Sequence, residues 1–381
     1  MYLRSIYDNH YPSTLRVVSP LSSSTDRFYP TIAAALAMSQ SGDTILIKPG
    51  VYTESLIIDK AVSLIGDGDR ATIIIESNNR PCLTLCAPDI RIEGLTVNVR
   101  GSLSRKNHLY GAIDISRGQA EIVDCDLFSS SYACLYLSGH ETVGTVRHCA
   151  IHDSSGYGVL IATVSRGILD QCTISKNVFA EVAVIQNSEV TLQDCTLSHS
   201  KGYGLLVTEC SLGRILHCDI FKNSRAGIAI CEGSEAEIVA CTLHDGRASG
   251  VTFCQDAHGV MEYCELYANT SSAIEIKQHS DPTIRHCNIY KSKWSGISIS
   301  AGSQGCIEDC DIFDNILAGI EVSWESDPVI SRCRIQHHLY QGIAVFQRGR
   351  GTVTDCDLRQ NTHGPILIEA GSQLYLERNS E

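Results

Sequence analysis

From Gly158 onward, a pattern close to Gly-Ile-x-Ile, then a serine, then Ile-x-x-Cys-x-Ile returns every 23 residues. That period admits few architectures. The cysteines mark the register: Cys149, Cys172, Cys195, Cys218, Cys241, Cys264, Cys287, Cys310, Cys333 and Cys356 are 23 apart, and Cys125 stands 24 before Cys149. A fixed period of this size marks a solenoid, in which each unit buries its apolar face only against its neighbours. In the unit opening at Gly227, Ile228 and Ile230 are two apart and so are Cys241 and Leu243, which is strand spacing. Ile238 and Cys241 differ by an odd number, so the chain must bend between them for both to point inward. Three short strands per unit and no helical period define one coil of an all-β, single-stranded parallel β-helix. The missing helical or Leu-rich half excludes a leucine-rich repeat.

The corners carry columns of their own. Gly158, Gly204, Gly227, Gly250, Gly296, Gly319 and Gly342 open the coils, with Glu181, Ala273 and Pro365 as exceptions, which predicts a tight bend. Ser165, Ser188, Ser211, Ser234, Ser280, Ser303, Ser326 and Ser372 hold a second corner. Asn177, Asn223, Asn269, Asn315 and Asn361 hold a third in alternate coils. Such side chains satisfy turn backbone groups and one another, so they read as structural ladders and not as catalytic residues.

A chain of 381 residues would ordinarily form two or three globular domains, but a solenoid grows along one axis. The period gives roughly thirteen coils, about 60 Å long at the strand spacing. No stretch reaches 18 apolar residues and Met1 to Asn9 lacks the regions of a signal peptide, so a soluble cytoplasmic protein with no membrane partner is expected. Of 18 cysteines, eleven fall in one interior column. Neighbours there stand about 4.8 Å apart, beyond the Cβ separation of about 3.5 to 4.5 Å of a disulfide, so they are expected to stay thiols in a reducing compartment. A closed metal site needs three or four converging ligands, and a flat column offers two neighbours; no metal and no cofactor is expected. Cys231 and Cys254, also 23 apart, are expected to form a two-thiol surface pair. The net charge of -13 argues against nucleic acid and acidic polysaccharide unless a local basic patch intervenes. The only such patch legible in the sequence is Arg100, Arg105, Lys106 and His108, in a loop that interrupts the period.

Residues 1–43 form a polar lead-in segment and a short helix, Thr31 to Ser39, placed to cover the first open coil; residues 44–381 form the β-helix. At the other end Asn379 replaces the column cysteine and no capping helix follows, so this end is expected to stack on a second copy, a partner or a fused domain.

The stretch "TIAAALAMSQSGDTILIKPGVYTESLIIDKAVSLIGDG" (Thr31 to Gly68) resembles the opening of right-handed parallel β-helix proteins of the pectin-lyase-like group, the family with carbohydrate-binding and sugar-hydrolysis repeats. The repeats "SDPTIRHCNIYKSKWSGISI" and "SDPVISRCRIQHHLYQGIAV" resemble the β-helical region of certain F-box proteins and of bacterial β-helix proteins. The resemblance covers nearly the whole chain and implies right-handed winding. The family holds lyases, hydrolases, esterases and epimerases beside non-catalytic scaffolds, so fold alone does not decide function. Its enzyme motifs do not transfer. Asn-Thr-Asp, Gly-His-Gly, Arg-Ile-Lys and Asp-Pro-His-Asp are absent, and Ser280-Asp281-Pro282 and Ser326-Asp327-Pro328 lack the His-Asp that would follow.

One patch remains as a candidate site. The third position of the first strand points outward, and there Glu275 and Glu321 stand two coils apart, about 9.6 Å along the axis. Lys277 flanks Glu275, Trp294 precedes the strand of Ser298, Trp324 follows the strand of Glu321, and Tyr340 repeats the Trp294 position two coils on. Outward rings beside carboxylates and a lysine make a ligand-binding face. With no family motif present, the leading expectation is a non-catalytic scaffold for a protein partner. The alternatives are a carbohydrate-active enzyme (glycoside hydrolase, lyase or epimerase) using the Glu275/Glu321 face on a neutral or mildly basic oligosaccharide, and metal binding through thiols. The aromatic column Phe221, Tyr267, Tyr290 and Phe313 reads as a structural stack.

Overall fold

The computed structural model describes residues 15–20, 28–101 and 110–381. The successive coils lay their strands into three parallel sheets, here sheets A, B and C, with 17, 13 and 14 strands among the described residues. Fourteen strands in sheet C mean about fourteen coils, one more than the period predicts. In the regular coils the register is the sequence period: Ile228 pairs with Val251, then Ile274, Ile297, Ile320 and Ile343 along sheet C. All six are fully buried. Ile238, Met261, Ile284, Ile307 and Ile330 do the same in sheet A, and Leu243, Leu266, Ile289, Ile312 and Ile335 in sheet B. These columns meet in one continuous core, where burying each side chain contributes about 1.5 to 3 kcal/mol.

The odd spacing between Ile238 and Cys241 is resolved by one left-handed residue. Ala240 has φ 52°, and Tyr263, His286, Asp309 and Arg332 repeat it at 55°, 55°, 51° and 53°. The glycines that open the coils exclude side chains, as their column in the sequence implies, but not through a left-handed turn. None of the seven has a left-handed φ; what they supply is room, since a Cβ on Gly204 would lie 2.4 Å from the carbonyl oxygen of Gly227, and one on Gly319 2.7 Å from that of Gly342.

The polar columns are hydrogen-bonded ladders. Ser188 donates its N–H to Ser211 Oγ at 3.2 Å and Ser211 to Ser234 Oγ at 3.1 Å. Each asparagine bridges coils: Asn269 Oδ1 accepts the Gly246 N–H at 3.1 Å while its Nδ2 donates to the Leu243 carbonyl at 3.1 Å. Two of the departures from this scheme are ionisable, His338 in the asparagine column and Glu181 in the glycine column, both buried.

The eleven column cysteines are buried and unbonded to one another. A typical one, Cys172, directs its Sγ to the Asp170 carbonyl at 3.4 Å and the Val146 carbonyl at 3.5 Å. Asn379 replaces that thiol with an amide, accepting the Cys356 N–H and donating to the Val353 carbonyl, both at 2.9 Å. The two-thiol expectation for Cys231 and Cys254 is corrected: they are in register on the outer face of sheet C and form a disulfide across a Cα separation of 4.7 Å. In-register strands thus permit a bond where both side chains face outward.

The helix spans Ile32–Met38, capped by Thr31, whose Oγ1 accepts the Ala34 N–H at 3.1 Å. Glu54 closes the remaining N-terminal donors, accepting from Ile32 and Ala33 at 2.9 and 2.8 Å. Ile32, Ala35 and Leu36 are its buried face. Ahead of the helix, Leu15–Val18 pairs in register with Thr44–Ile47, so part of the lead-in is itself a sheet A strand. Arg105, Lys106 and His108 lie outside the described residues; Arg100 is paired with Glu76 at 2.9 Å. Among the described residues no helix is long and apolar enough to cross a membrane.

Candidate functional site

The strand period places every second side chain of sheet C outward, and the register then sets Glu275, Ser298 and Glu321 on adjacent strands in one column. The two carboxylates are therefore two coils apart, about 9.6 Å. Their surroundings differ. Ser271 Oγ donates to Glu275 Oε1 at 2.8 Å and Lys277 Nζ holds Oε2 at 3.1 Å. Glu321 receives a hydrogen bond from Ser295 Oγ at 3.1 Å and has no cationic partner among the described residues. The Glu275–Lys277 pair is solvent-facing, so Lys277→Ala is expected to change unfolding free energy by less than about 1 kcal/mol in urea titrations.

The three aromatic residues divide between the two edges of this face. Trp294 and Tyr340 occupy the corner from sheet B to sheet C, two coils apart, with Leu317 between them. Trp294 is 58% exposed; Tyr340 packs one face on His363, with centroids 5.1 Å apart. Trp324 lies at the opposite corner, 60% exposed, after the strand Ile320–Val322. There it walls a cleft of 570 Å³ over Ala301 and Gly302, with His279 on the other side and the Glu325–Arg348 ion pair, 3.2 Å, at its rim.

Other features were not foreseen. Toward the N-terminal end the outward column is not solvent-exposed: Leu160 and Ala183 are buried in a second apolar cluster outside the coil, packed with Tyr132, Tyr136, Tyr157 and Tyr203. Tyr132, Tyr157 and Phe179 meet edge to face at 5.3 and 5.5 Å. The sequence signal was the tyrosine at the start of alternate strands, Tyr157 and Tyr203. In register with Tyr136 stands Asp114, which accepts the Gly111 N–H at 2.6 Å. Burial pushes its carboxyl up to about 7, against the pull of that hydrogen bond.

On sheet B, His244 completes the predicted stack: Phe221, His244, Tyr267, Tyr290 and Phe313 lie 4.8 to 5.3 Å apart with interplanar angles of 5 to 17°. Ring faces are consumed by neighbouring rungs, which leaves edges to solvent. The outer face of sheet A and its corner carry ion pairs between rungs, among them Arg214–Glu237 at 2.9 Å and Arg332–Asp309 at 2.8 Å. Among the described residues no three His, Cys, Asp or Glu side chains are grouped to hold a metal ion.

Fold and face together define a parallel β-helix with a polar, carboxylate-bearing outer sheet. The chain belongs to the right handed beta helix region family, whose model matches residues 110–258 and 230–380. Among solved structures it is similar to the periplasmic alginate epimerase AlgG, with TM-score 0.55 and 12% identity over 89% of this chain and 76% of that one. It is similar also to the Agl-KA catalytic domain, at 0.56 and 12% over 90% and 64%. A third is the A-module of the Azotobacter vinelandii mannuronan C-5 epimerase AlgE6, at 0.52 and 11% over 91% and 92%. No curated protein sequence matches the chain. The expectation of a non-catalytic scaffold for a protein partner is corrected by these likenesses: these three structures of like fold are two epimerases and a catalytic domain. The face itself offers hydroxyls, carboxylates and solvent-facing indoles, groups whose chemistry also suits a sugar ring.

Proposed function

We propose that the chain is a carbohydrate-active enzyme that cleaves an oligosaccharide on the outer face of sheet C, with Glu275 and Glu321 as its two carboxylates. The observation that carries this reading is their register, one strand apart on either side of Ser298 with unlike partners. The strand separation of about 9.6 Å lies just above the spacing of about 6.5 to 9.5 Å between carboxyl groups that leaves room for a water beside the sugar. That is close enough for two glutamate side chains to reach the inverting arrangement. Glu275, beside Lys277, is the base that activates that water; Glu321, bonded only to a serine hydroxyl, is the acid toward the leaving oxygen. Trp294 and Trp324 stack sugar rings at either edge.

The test is incubation of the protein with a panel of neutral and acidic oligosaccharides, read by mass and by the anomeric configuration of the first product. Cleavage with inversion is expected. Glu321→Gln and Glu275→Gln are each expected to lower kcat by at least about 100-fold with the fold unchanged. Products that persist in the double variant, or no product across the panel, would sink the assignment.

A further inference from the structure

Of the 18 cysteines, only Cys231 and Cys254 are bonded to one another, and the rest are free thiols. Their disulfide joins two coils that the ladder already joins. Ile228–Cys231 pairs residue by residue with Val251–Cys254, and Ile230 and Phe253, which point inward from the same strands, are fully buried. Strand pairing and core therefore persist when the disulfide opens. Access is unequal across the bond, because Cys231 is half-buried and Cys254 is 8% exposed. A thiol arriving from solvent meets the sulfur of Cys231 first.

The two sulfurs also lie in unlike fields. Lys277 is in register with Cys254 on the next strand, about 4.8 Å further along the same outward face. Its ammonium uses one of three donors on Glu275 Oε2, at 3.1 Å, and remains 40% exposed. On the other side an acid, Glu232, directly follows Cys231 and accepts the Thr208 Oγ1 hydroxyl at 2.9 Å. A neighbouring ammonium stabilises a thiolate and a carboxylate opposes one, so Cys254 is the better leaving group of the two. Thiol–disulfide exchange needs one sulfur open to attack and the other able to depart. This pair divides those parts between its two ends.

We infer that Cys231 and Cys254 form a redox-active site whose co-reactant is a dithiol. One thiolate of the dithiol attacks Cys231 Sγ; the bond to Cys254 breaks, and its electron pair leaves with Cys254 as a thiolate beside Lys277. The second thiol of the dithiol, once deprotonated, displaces Cys231 from the mixed disulfide. The two protons released by the dithiol end on Cys231 and Cys254. The dithiol is oxidised to a disulfide, and the protein pair gains the two electrons. A small disulfide such as oxidised glutathione drives the reverse reaction, taking those electrons to become two thiols. Lys277 touches Glu275 as well, so the redox site and the carboxylate face share one cation.

The experiment takes the whole folded chain, equilibrates it with oxidised glutathione, exchanges that for dithiothreitol, and quenches samples over time with N-ethylmaleimide for peptide mass spectrometry. Two other cysteines calibrate it. Cys210 is exposed and labels at once, whereas Cys241 is buried in the core column and labels only where the coil opens. Cys231 and Cys254 are expected to label together while Cys241 stays unlabelled, and a return to oxidised glutathione is expected to restore their disulfide in the non-reduced peptide map. Lys277→Gln is expected to slow the reduction about 3-fold and Lys277→Arg to restore it, an effect on the departing sulfur that a merely structural lysine would not have. Label that reaches the pair only together with Cys241, a pair that never closes in oxidised glutathione, or equal rates for wild type and Lys277→Gln would overturn the inference. No sugar enters the experiment, so its result is independent of the carbohydrate reading.

Discussion

Glu181→Gln is expected to stabilise the protein progressively as pH rises, with little effect near pH 5 and the largest gain near pH 9. Glu181 takes the place that glycine holds in most coils, and it is fully buried. Asn177 donates to it twice, through Nδ2 to Oε2 and through its N–H to Oε1 at 3.4 Å, and the Lys176 backbone adds a further hydrogen bond. Burial dominates these bonds and pushes the carboxyl up to about 8 from 4.5. The sign follows from where the proton is held more tightly. The folded state keeps it up to about pH 8 while the unfolded chain releases it near 4.5, so this group's contribution is complete below 4.5 and is lost as pH climbs toward 8. A shift of this size corresponds to about 5 kcal/mol once both states are ionised. Glutamine keeps the shape and an Asn177 partner without titrating. Urea unfolding of both proteins at pH 5, 7 and 9 reads the difference directly, and every other titrating group cancels in it. Parallel profiles would mean that Glu181 is already ionised in the fold.

That glutamate also shows which parts of the molecule could be read in advance. Spacing by two within Ile228–Ile230 and Cys241–Leu243 sets strands, and the odd step from Ile238 to Cys241 demands a bend; these are properties of a backbone and survive any change of side chain. The register of Glu275 with Glu321 follows from the same arithmetic, as does the placing of Trp294 and Trp324 at opposite edges. What arithmetic does not reach is how a large side chain lies. Tyr157 and Tyr203 pack against Leu160 and Ala183 and turn an outward column into a second apolar cluster; their spacing marks alternate coils but not which way the rings lie. For the opening glycines the sequence shows only a tight bend that tolerates few side chains. The structure shows that the next coil's carbonyl excludes them.

At the corner from sheet B to sheet C, Lys201, Arg247 and Lys293 share one ladder position, each N–H bonded to the asparagine carbonyl one coil back. This basic edge is hidden by the same summation that makes the chain acidic. Acids and arginines on sheet A and its corner neutralise each other rung by rung, so they contribute to the count of charges but little to the field at the far corner. Only after coils are superposed at twice the period do Lys201, Arg247 and Lys293 fall in line. Net charge therefore describes a solenoid poorly, because each sheet and corner presents its own composition to a ligand.

His338→Asn is expected to remove an acid sensitivity that the wild type carries. The column at this corner uses asparagine in alternate coils, and His338 reproduces the same two contacts one coil out of phase. Its Nδ1 accepts the Asn315 N–H at 3.2 Å and its Nε2–H donates to the Ile312 carbonyl at 3.1 Å, which fixes the neutral tautomer. Asn315 makes the equivalent bonds with Oδ1 to the Ser292 N–H and Nδ2 to the Ile289 carbonyl. A second proton would turn Nδ1 into a donor facing a donor, in a fully buried site. Burial holds the imidazole down at about 4, against 6.5 when free. Here the unfolded chain takes the proton first, so the stability from neutral His338 is complete above 6.5 and is lost as pH falls toward 4, by about 3 kcal/mol in all. Asparagine makes both bonds at any pH, and Gly319 beside the ring gains space. Melting curves from pH 7 to pH 4 should therefore fall more steeply for wild type than for His338→Asn. Equal slopes would show that the imidazole accepts its proton without losing its place in the ladder.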